Sequence, residues 1–434
     1  MSTALPPGSS VLVVGGGVVG TSAAYALASA GYEVALATAG QIGDGASAGN
    51  AGLLVPADSV VWPGPANARA VPATLLGRSA GIRVAWGNPS TVPWGLRFLA
   101  NSTARKYAAA CRATHSLSTH SLRVAEKWAA AGDVGTDLKR TGMLFLVDSP
   151  EAVTEAWHAR AALSAAGETY TELTRAELTE LDKAYAALPA GLRALYAPGA
   201  ARGDSQAFAL ALADRLRGLG ATVLERRPVT RLVFEDGRVT AAETADGRLF
   251  ADAVVLAAGV ATRGLARTAG VRAPVLPVKG YAATVPLLEP DRAPQVGGVL
   301  ESLHVAFSRM GDQLRLSTGA EIGRGDHDVA EPARHLLQRA GEQLFPGALD
   351  WTSAEYRAEH RPMTPNGLPM IGPTSVPGLY LDAAHGSLGW TQAAGSADLL
   401  TQLVKGARPP IDPTPFLPSS PLPSADTVGL RPPI

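Results

Sequence analysis

The sequence predicts an α/β protein of two interleaved domains, an α+β arrangement in which segments of one domain alternate along the chain with segments of the other. Three observations carry that prediction. Residues 11–38 read as strand, Gly turn, helix and strand; residues 204–259 read as a capped helix and further strands ending in an apolar run and a glycine; and 378–406 return to strand, Gly-rich turn and helix. Such segments build a Rossmann-like nucleotide-binding domain. They are expected at 9–55, 200–272 and 355–407. The second domain, on a mixed or antiparallel sheet, is expected at 56–199 and 273–354, with a Pro-rich tail at 408–434.

Each element has a local reason. Val11 to Val14 is a short β-branched run, as in a strand buried on both faces, and the glycines that follow end it. Small and apolar residues at 18–30 suit a helix packed closely on a sheet, and 33–38 reads as the next strand. From 50 to 100 glycine, proline and tryptophan are frequent and periodicity is weak, which predicts long loops with short helices. Helices are expected at 105–131 and 151–166 with a strand at 142–147 between them, and the Asp236-Gly237 and Asp246-Gly247 pairs predict tight turns between strands. Residues 275–284, 305–308 and 313–317 read as strands of another sheet, and 331–345 as a helix with Pro332 in its first turn.

The chain of 434 residues carries 38 Lys plus Arg against 38 Asp plus Glu, so charge balance gives no case for nucleic acid. Cys111 is the only cysteine, which rules out an intrachain disulfide and fits a reducing compartment. The stretch MSTALPPGSS lacks the basic and apolar regions of a signal peptide, and no apolar run is long enough to span a bilayer, so a cytoplasmic protein is expected. Peripheral membrane attachment stays open, because hydropathy does not report it.

Gly15, Gly17 and Gly20 have the spacing of a dinucleotide turn: one permits the tight bend, one lets the backbone approach a pyrophosphate, and one lets helix and strand pack. Val18 and Val19 open the helix behind them. Where such a fold normally carries an acid for the adenosine ribose, this chain has Thr38. A 2′-phosphate ligand would need a nearby cation, and none occurs from Ala35 through Ala68, which argues against NADP on local charge. Asp326 and Asp328 flank His327 in a charged loop, which reads as a solvated turn; no metal site is expected.

With GGGVVG, ASAGNAG (46–52), LPVKGYAATVP (276–286), RPMTPNGLPMIG (361–372) and AHGSLGWTQAAGSADLL (384–400) in this order, the chain resembles the FAD-dependent amino-acid oxidoreductases of the D-amino-acid oxidase superfamily. The resemblance implies noncovalent FAD, since Cys111 lies far from the C-terminal region where some relatives attach flavin. It implies that Ser47, Asn50, Ala51, Gly52 and Leu53 lie beside the flavin and pyrophosphate, that Val229 contacts the adenine through its main chain, and that Ala258 and Gly259 close over the dinucleotide. His385, Gly386, Ser387, Leu388, Gly389, Trp390 and Thr391 match the loop and helix start at the flavin's pyrimidine edge, where backbone N–H groups and a helix dipole stabilise reduced flavin.

Arg361 matches the arginine that pairs with the substrate carboxylate in related oxidases, and a planar guanidinium suits that task. Tyr281 and His304, the latter expected on a pocket-lining strand, are further catalytic candidates. So is His360, which with Glu359 stands where related dehydrogenases carry small or apolar residues. The activity implied is oxidation of an amino-acid C–N bond by hydride transfer to flavin, a deamination like that of D-amino acid dehydrogenases. An oxidase of glycine, sarcosine or another secondary amine, and a nucleotide-binding protein without turnover, are the alternatives. The implied partners are an amino acid or amine and an electron acceptor, either quinone or oxygen.

Overall fold

The computed structural model describes residues 4–78, 82–132, 134, 137–189 and 191–418. Its first sheet has six strands in the spatial order Met370–Pro373, Leu379–Ala383, Ala253–Leu256, Ser10–Val14, Glu33–Ala37, Thr222–Leu224. All neighbours are parallel except the outermost pair, Met370–Pro373 with Leu379–Ala383. Strand alternation divides the apolar side chains between two cores. Val11, Val13, Leu36 and Val255 face a layer formed by the helices Val18–Ser29, Ser205–Gly218 and Gly389–Lys405. Leu12, Val14, Val254 and Leu256 face a separate three-stranded antiparallel sheet, Val229–Glu235, Arg238–Thr244 and Gly247–Phe250. Asp236 and Gly237 both take positive φ (50° and 74°), as a tight hairpin between twisted strands requires.

The second sheet is mixed, in the order Glu355–Met363, Leu276–Pro286, Gln313–Ile322, Val305–Met310, Gly297–Leu300, Met143–Val147, Arg193–Ala197, Thr171–Leu173, with Ile82–Val84 also pairing the Gln313–Ile322 strand. The helix Glu331–Leu344 covers one face through Leu337, Ala340 and Leu344. Leu53–Leu54 pairs with Ala201–Arg202 in a small two-stranded sheet of their own.

Three features depart from the sequence reading. The strand Glu355–Met363 pairs with Leu276–Pro286 along its whole length, so it belongs to the second sheet and not to the nucleotide segment that was expected to begin at 355. Helix Ala104–Ala130, expected in the second domain, sends Leu117, Leu122 and Ala125 into the core of the first. The Pro-rich tail begins folded: Thr414–Phe416 forms a 3-10 turn whose Phe416 is fully buried in that same core, while residues 419–434 lie outside the described residues.

Candidate functional site

Parallel strands place their carboxyl ends along one edge, so segments far apart in sequence converge there. After Ser10–Val14, Gly15 bends the chain at φ 125°, and its N–H donates to Ala37 O at 2.8 Å. A Cβ on Gly20 would overlap the Gly15 carbonyl oxygen, so helix and turn touch backbone to backbone. Gly17 caps the helix Val18–Ser29 without a side-chain bond; Val18 N–H donates to Ser47 Oγ at 2.9 Å, and Val19 and Gly20 present N–H groups that the helix cannot itself satisfy. After Ala253–Leu256 come Ala258 and Gly259, half-buried beside the same turn. After Leu379–Ala383 the chain passes through Ala384 at φ 64° and Gly386 at φ 59° into the 3-10 turn Gly386–Leu388 and the helix Gly389–Lys405. A left-handed alanine is costly, and such strain collects at sites where the backbone must be aimed.

The Asn50 loop is held from within. Asn50 Nδ2 donates to Ser47 O and to Ser205 Oγ, its Oδ1 accepts from Gly52 N–H at 2.8 Å, and Ser308 Oγ donates to Ala51 O at 2.5 Å. Thr391 Oγ1 accepts from Val55 N–H, tying the Gly389–Lys405 helix to the strand that contains Leu53. Trp390 turns its indole inward: Nε1 donates to Gly203 O and the ring meets Phe208 edge-on at 4.8 Å, so of this residue only the backbone is left to face the turn.

Thr38 packs directly on the phosphate turn, for a Cβ at Gly16 would lie 2.7 Å from the Thr38 Cβ. Its backbone pairs with the neighbouring strand: Thr38 N–H donates to Leu224 O, and Arg227 N–H donates to Thr38 O at 2.7 Å. That pairing brings Glu225, Arg226 and Arg227 to the place where neither acid nor cation stands in the local sequence. Glu225 Oε1 accepts from Ile42 N–H at 2.7 Å, and Arg227 pairs with Asp246 at 2.9 Å. The local-charge reason for setting NADP aside therefore fails, because cations arrive from a strand that is distant in sequence. Val229, two residues beyond Arg227, opens the antiparallel sheet beside this end.

The Glu355–Met363 strand closes the site from the other domain. It lies against the 3-10 turns Gly45–Ser47, Gly259–Ala261 and Gly386–Leu388, so all three nucleotide segments meet it. Its odd-numbered residues form the facing side: Arg357 reaches Asp44 at 3.7 Å, Glu359 lies over Gly49, and Met363 touches Gly386. Arg361 is on that side, half-buried. Its guanidinium passes over Gly280, where a Cβ would collide with it, and Nη1 donates to Gly319 O at 2.7 Å at a bulge in the third strand. Among the described residues no carboxylate pairs with Arg361, and burial holds its guanidinium below the usual arginine value.

Period-two alternation sends His360 and Tyr281 to the other side of the sheet. His360 faces the opposite side, buried against His327 at 4.5 Å, with Nε2 unpartnered and burial pushing its imidazole down. Tyr281, out of phase with Val278, the partner of Arg361, points to that side too, and its hydroxyl donates to Glu321 at 2.6 Å. His304 is on no strand: it ends a 3-10 turn at φ 50°, and its side chain is exposed. His360 and Tyr281 therefore stand apart from Arg361, although sequence motifs placed them with it, whereas the His304 carbonyl accepts from Thr318 Oγ1, next to the Gly319 that holds Arg361. His327 is largely exposed, with Nδ1 at 2.9 Å from Ala358 O, and the described residues hold no group of His, Cys, Asp or Glu arranged to bind a metal.

The structure also adds Asp382, near the end of the strand Leu379–Ala383 that leads to His385. Both are buried, with Asp382 Oδ1 3.4 Å from His385 Nε2 and Ser396 Oγ donating to Asp382 Oδ2 at 3.3 Å. Burial pushes the carboxyl up to about 8 and the imidazole down to about 3, so at neutral pH both are uncharged. The folded carboxyl keeps a proton that the unfolded chain releases near 3.8, so this group's contribution to stability drains away as pH rises from about 4 to about 8, while neutral His385 contributes in the opposite sense from about 3 to 6.5. Asp382→Asn should remove that slope, raising the urea midpoint at pH 8 by a shift worth on the order of a few kcal/mol while leaving pH 4 nearly unchanged. Parallel wild-type and variant curves at both pH values would contradict the buried, protonated state.

A family described as FAD dependent oxidoreductase (DAO) matches residues 10–403, from the first strand into the last turn of the helix Gly389–Lys405. The chain belongs to this family. A protein of Mesorhizobium japonicum called D-amino acid dehydrogenase 2 is 34% identical over 407 residues, covering 93% of this chain and 98% of its own length. A Methylobacterium radiotolerans D-amino acid dehydrogenase is 35% identical over 410 residues, covering 92% and 97%. The crystal structure of glycine oxidase from Geobacillus kaustophilus superposes with a TM-score of 0.72 at 22% identity, over 95% of this chain and 99% of that one, a likeness of fold.

FAD is the cofactor, and the residues present fit it. The Gly15 to Gly20 turn offers bare backbone and unsatisfied N–H groups to a pyrophosphate, and the segment from Gly386 into the Gly389–Lys405 helix offers a second helix N-terminus without a side-chain cap. Local sequence could not have shown Gly280 or Gly319 as parts of the site; the one available signal was a glycine inside a strand, a frequent mark of close approach.

Proposed function

We propose that the protein oxidises the C–N bond of an amino acid, in the manner of a D-amino acid dehydrogenase, with Arg361 anchoring the substrate carboxylate. One observation carries this reading: a half-buried guanidinium, free of any carboxylate among the described residues, on the strand face that meets all three cofactor segments. A desolvated cation without an anion is costly, and a substrate carboxylate supplies the missing charge. FAD, when bound, takes the two electrons removed from the C–N bond. The protein's part is positioning: Arg361 fixes the carboxylate by two parallel bonds, Gly280 leaves room for that fork, and the Gly319 carbonyl holds it in place. Cys111 is fully buried in the Ala104–Ala130 helix, among Val61, Ala110 and Leu163, which supports noncovalent FAD, and we take the protein to work in the cytoplasm.

Anaerobic addition of D-amino acids should bleach the flavin, with L-amino acids and N-methyl amines as comparison. No bleaching by any amino acid would refute the proposal. In air, peroxide equal to substrate consumed would mark an oxidase, and its absence with dye-linked turnover a dehydrogenase. Gly280→Ala should displace the guanidinium and raise KM by roughly ten- to a hundredfold with FAD still bound. An unchanged KM would show that the fork does not depend on that gap.

A further inference from the structure

The molecule's exposed apolar side chains are not scattered evenly. Leu75 and Leu76 at the end of the helix Pro65–Leu75, Trp86 in the turn after Ile82–Val84, and Val92, Leu96 and Leu99 on the helix Thr91–Asn101 are all exposed, with Leu76, Trp86 and Leu96 more than 60% so (67%, 61% and 64%). The Thr91–Asn101 helix is apolar on two sides. Trp94 and Phe98 stack on one another and face inward, with Trp94 Nε1 donating to Met363 O at 3.2 Å. Val92, Leu96 and Leu99, at spacings of four and three, form a second stripe that meets solvent. A soluble helix normally carries polar residues on that side.

Charge is segregated in the same region. From Ser59 through Ala125 the chain has no Asp or Glu, although it carries eight Lys and Arg residues and the whole chain is neutral. Arg78, Arg83, Arg97 and Arg105 are exposed, and none has an ion-pair partner among the described residues. Exposed leucines and a tryptophan set among arginines without ion-pair partners, on a segment that itself contributes no carboxylate and meets Glu321 opposite Arg83, match a surface that is apolar within and negative at its face.

We propose that this face, formed by the Pro65–Leu75 and Thr91–Asn101 helices and the Trp86 turn, docks on an anionic lipid bilayer. Leu76, Trp86 and Leu96 enter the headgroup boundary, where tryptophan is favoured, and the arginines meet lipid phosphates. The attachment is peripheral, for no helix among the described residues is long and apolar enough to cross a membrane. Through Trp94 and Met363 the face is joined to the strand that carries Arg361, so the bilayer lies beside the site's domain and not behind the nucleotide sheet.

Sedimentation of the full, FAD-loaded chain with vesicles tests this. Vesicles holding about a third phosphatidylglycerol should bind at least about tenfold more protein than pure phosphatidylcholine, and roughly 0.5 M salt should release most of it. Leu76→Ser/Trp86→Ser/Leu96→Ser and Arg78→Gln/Arg83→Gln/Arg97→Gln should each abolish binding while keeping FAD and turnover with a soluble dye. Equal binding to neutral and anionic vesicles, or no binding to either, overturns the proposal without any variant. So does self-association in the absence of lipid that the leucine and tryptophan changes abolish, since a second copy would then cover the face.

Discussion

Arg361→Ala raises the dissociation constant of a carboxylate ligand by about two to three orders of magnitude and leaves FAD bound. A hydrogen bond to a charged group contributes about 1.5–3 kcal/mol, and a guanidinium makes two to one carboxylate. Partial exposure of Arg361 discounts the sum, which sets the lower end of that range. Stability should change little, because among the described residues the only hydrogen-bond partner lost is the Gly319 carbonyl, and the desolvated charge disappears with it. Arg361→Lys keeps the charge and loses the fork, so it should fall between the two. The measurement is titration of a non-oxidisable amino-acid analogue, followed by the flavin spectrum, alongside thermal unfolding. Equal affinity in wild type and Arg361→Ala would remove the anchor from the proposed function.

Gly20→Ala yields protein that lacks flavin. The new Cβ overlaps the Gly15 carbonyl oxygen and comes within 3.3 Å of the Ala257 side chain, and neither neighbour is a flexible tip that could move aside. Overpacking of this kind costs about 1–3 kcal/mol and more where backbone must move. Here the displaced backbone is the phosphate turn itself, so cofactor retention fails before the fold does. Gly264→Ala, at an exposed position of the helix Thr262–Thr268 with open space around it, is the control and should be neutral or stabilising by up to about 1 kcal/mol. Gly20→Ala with a full flavin complement would show that the turn tolerates separation from its helix.

The first strand, turn and helix were legible because their signals are local: a β-branched run, three glycines at fixed spacing, then small residues. The tight turns at Asp236-Gly237 and Asp246-Gly247 were legible for the same reason. EYRAEHRPM was harder. Its motif pointed to Arg361 and His360 together, yet a strand of period two must send adjacent residues to opposite faces, and the pairing with Leu276–Pro286 decides which face meets the cofactor segments. Glu225 to Arg227 were invisible as neighbours of Thr38, since only the parallel pairing of Thr222–Leu224 with Glu33–Ala37 brings them there. Asp382 looked like any strand residue until burial beside His385 made it neutral.

By itself, then, the sequence determined the α/β class, the phosphate turn, the family and its cofactor, and it singled out the arginine proposed here to anchor the substrate. Each of these is written in short-range spacing or in motifs that need no partner. Only the tertiary structure decided which sheet holds the Arg361 strand, which of its two faces meets the three glycine-rich segments, and what surrounds Thr38. Those answers depend on strand register and on contacts between residues hundreds of positions apart, whose free energy is settled by burial and pairing in the folded chain and not by local propensity.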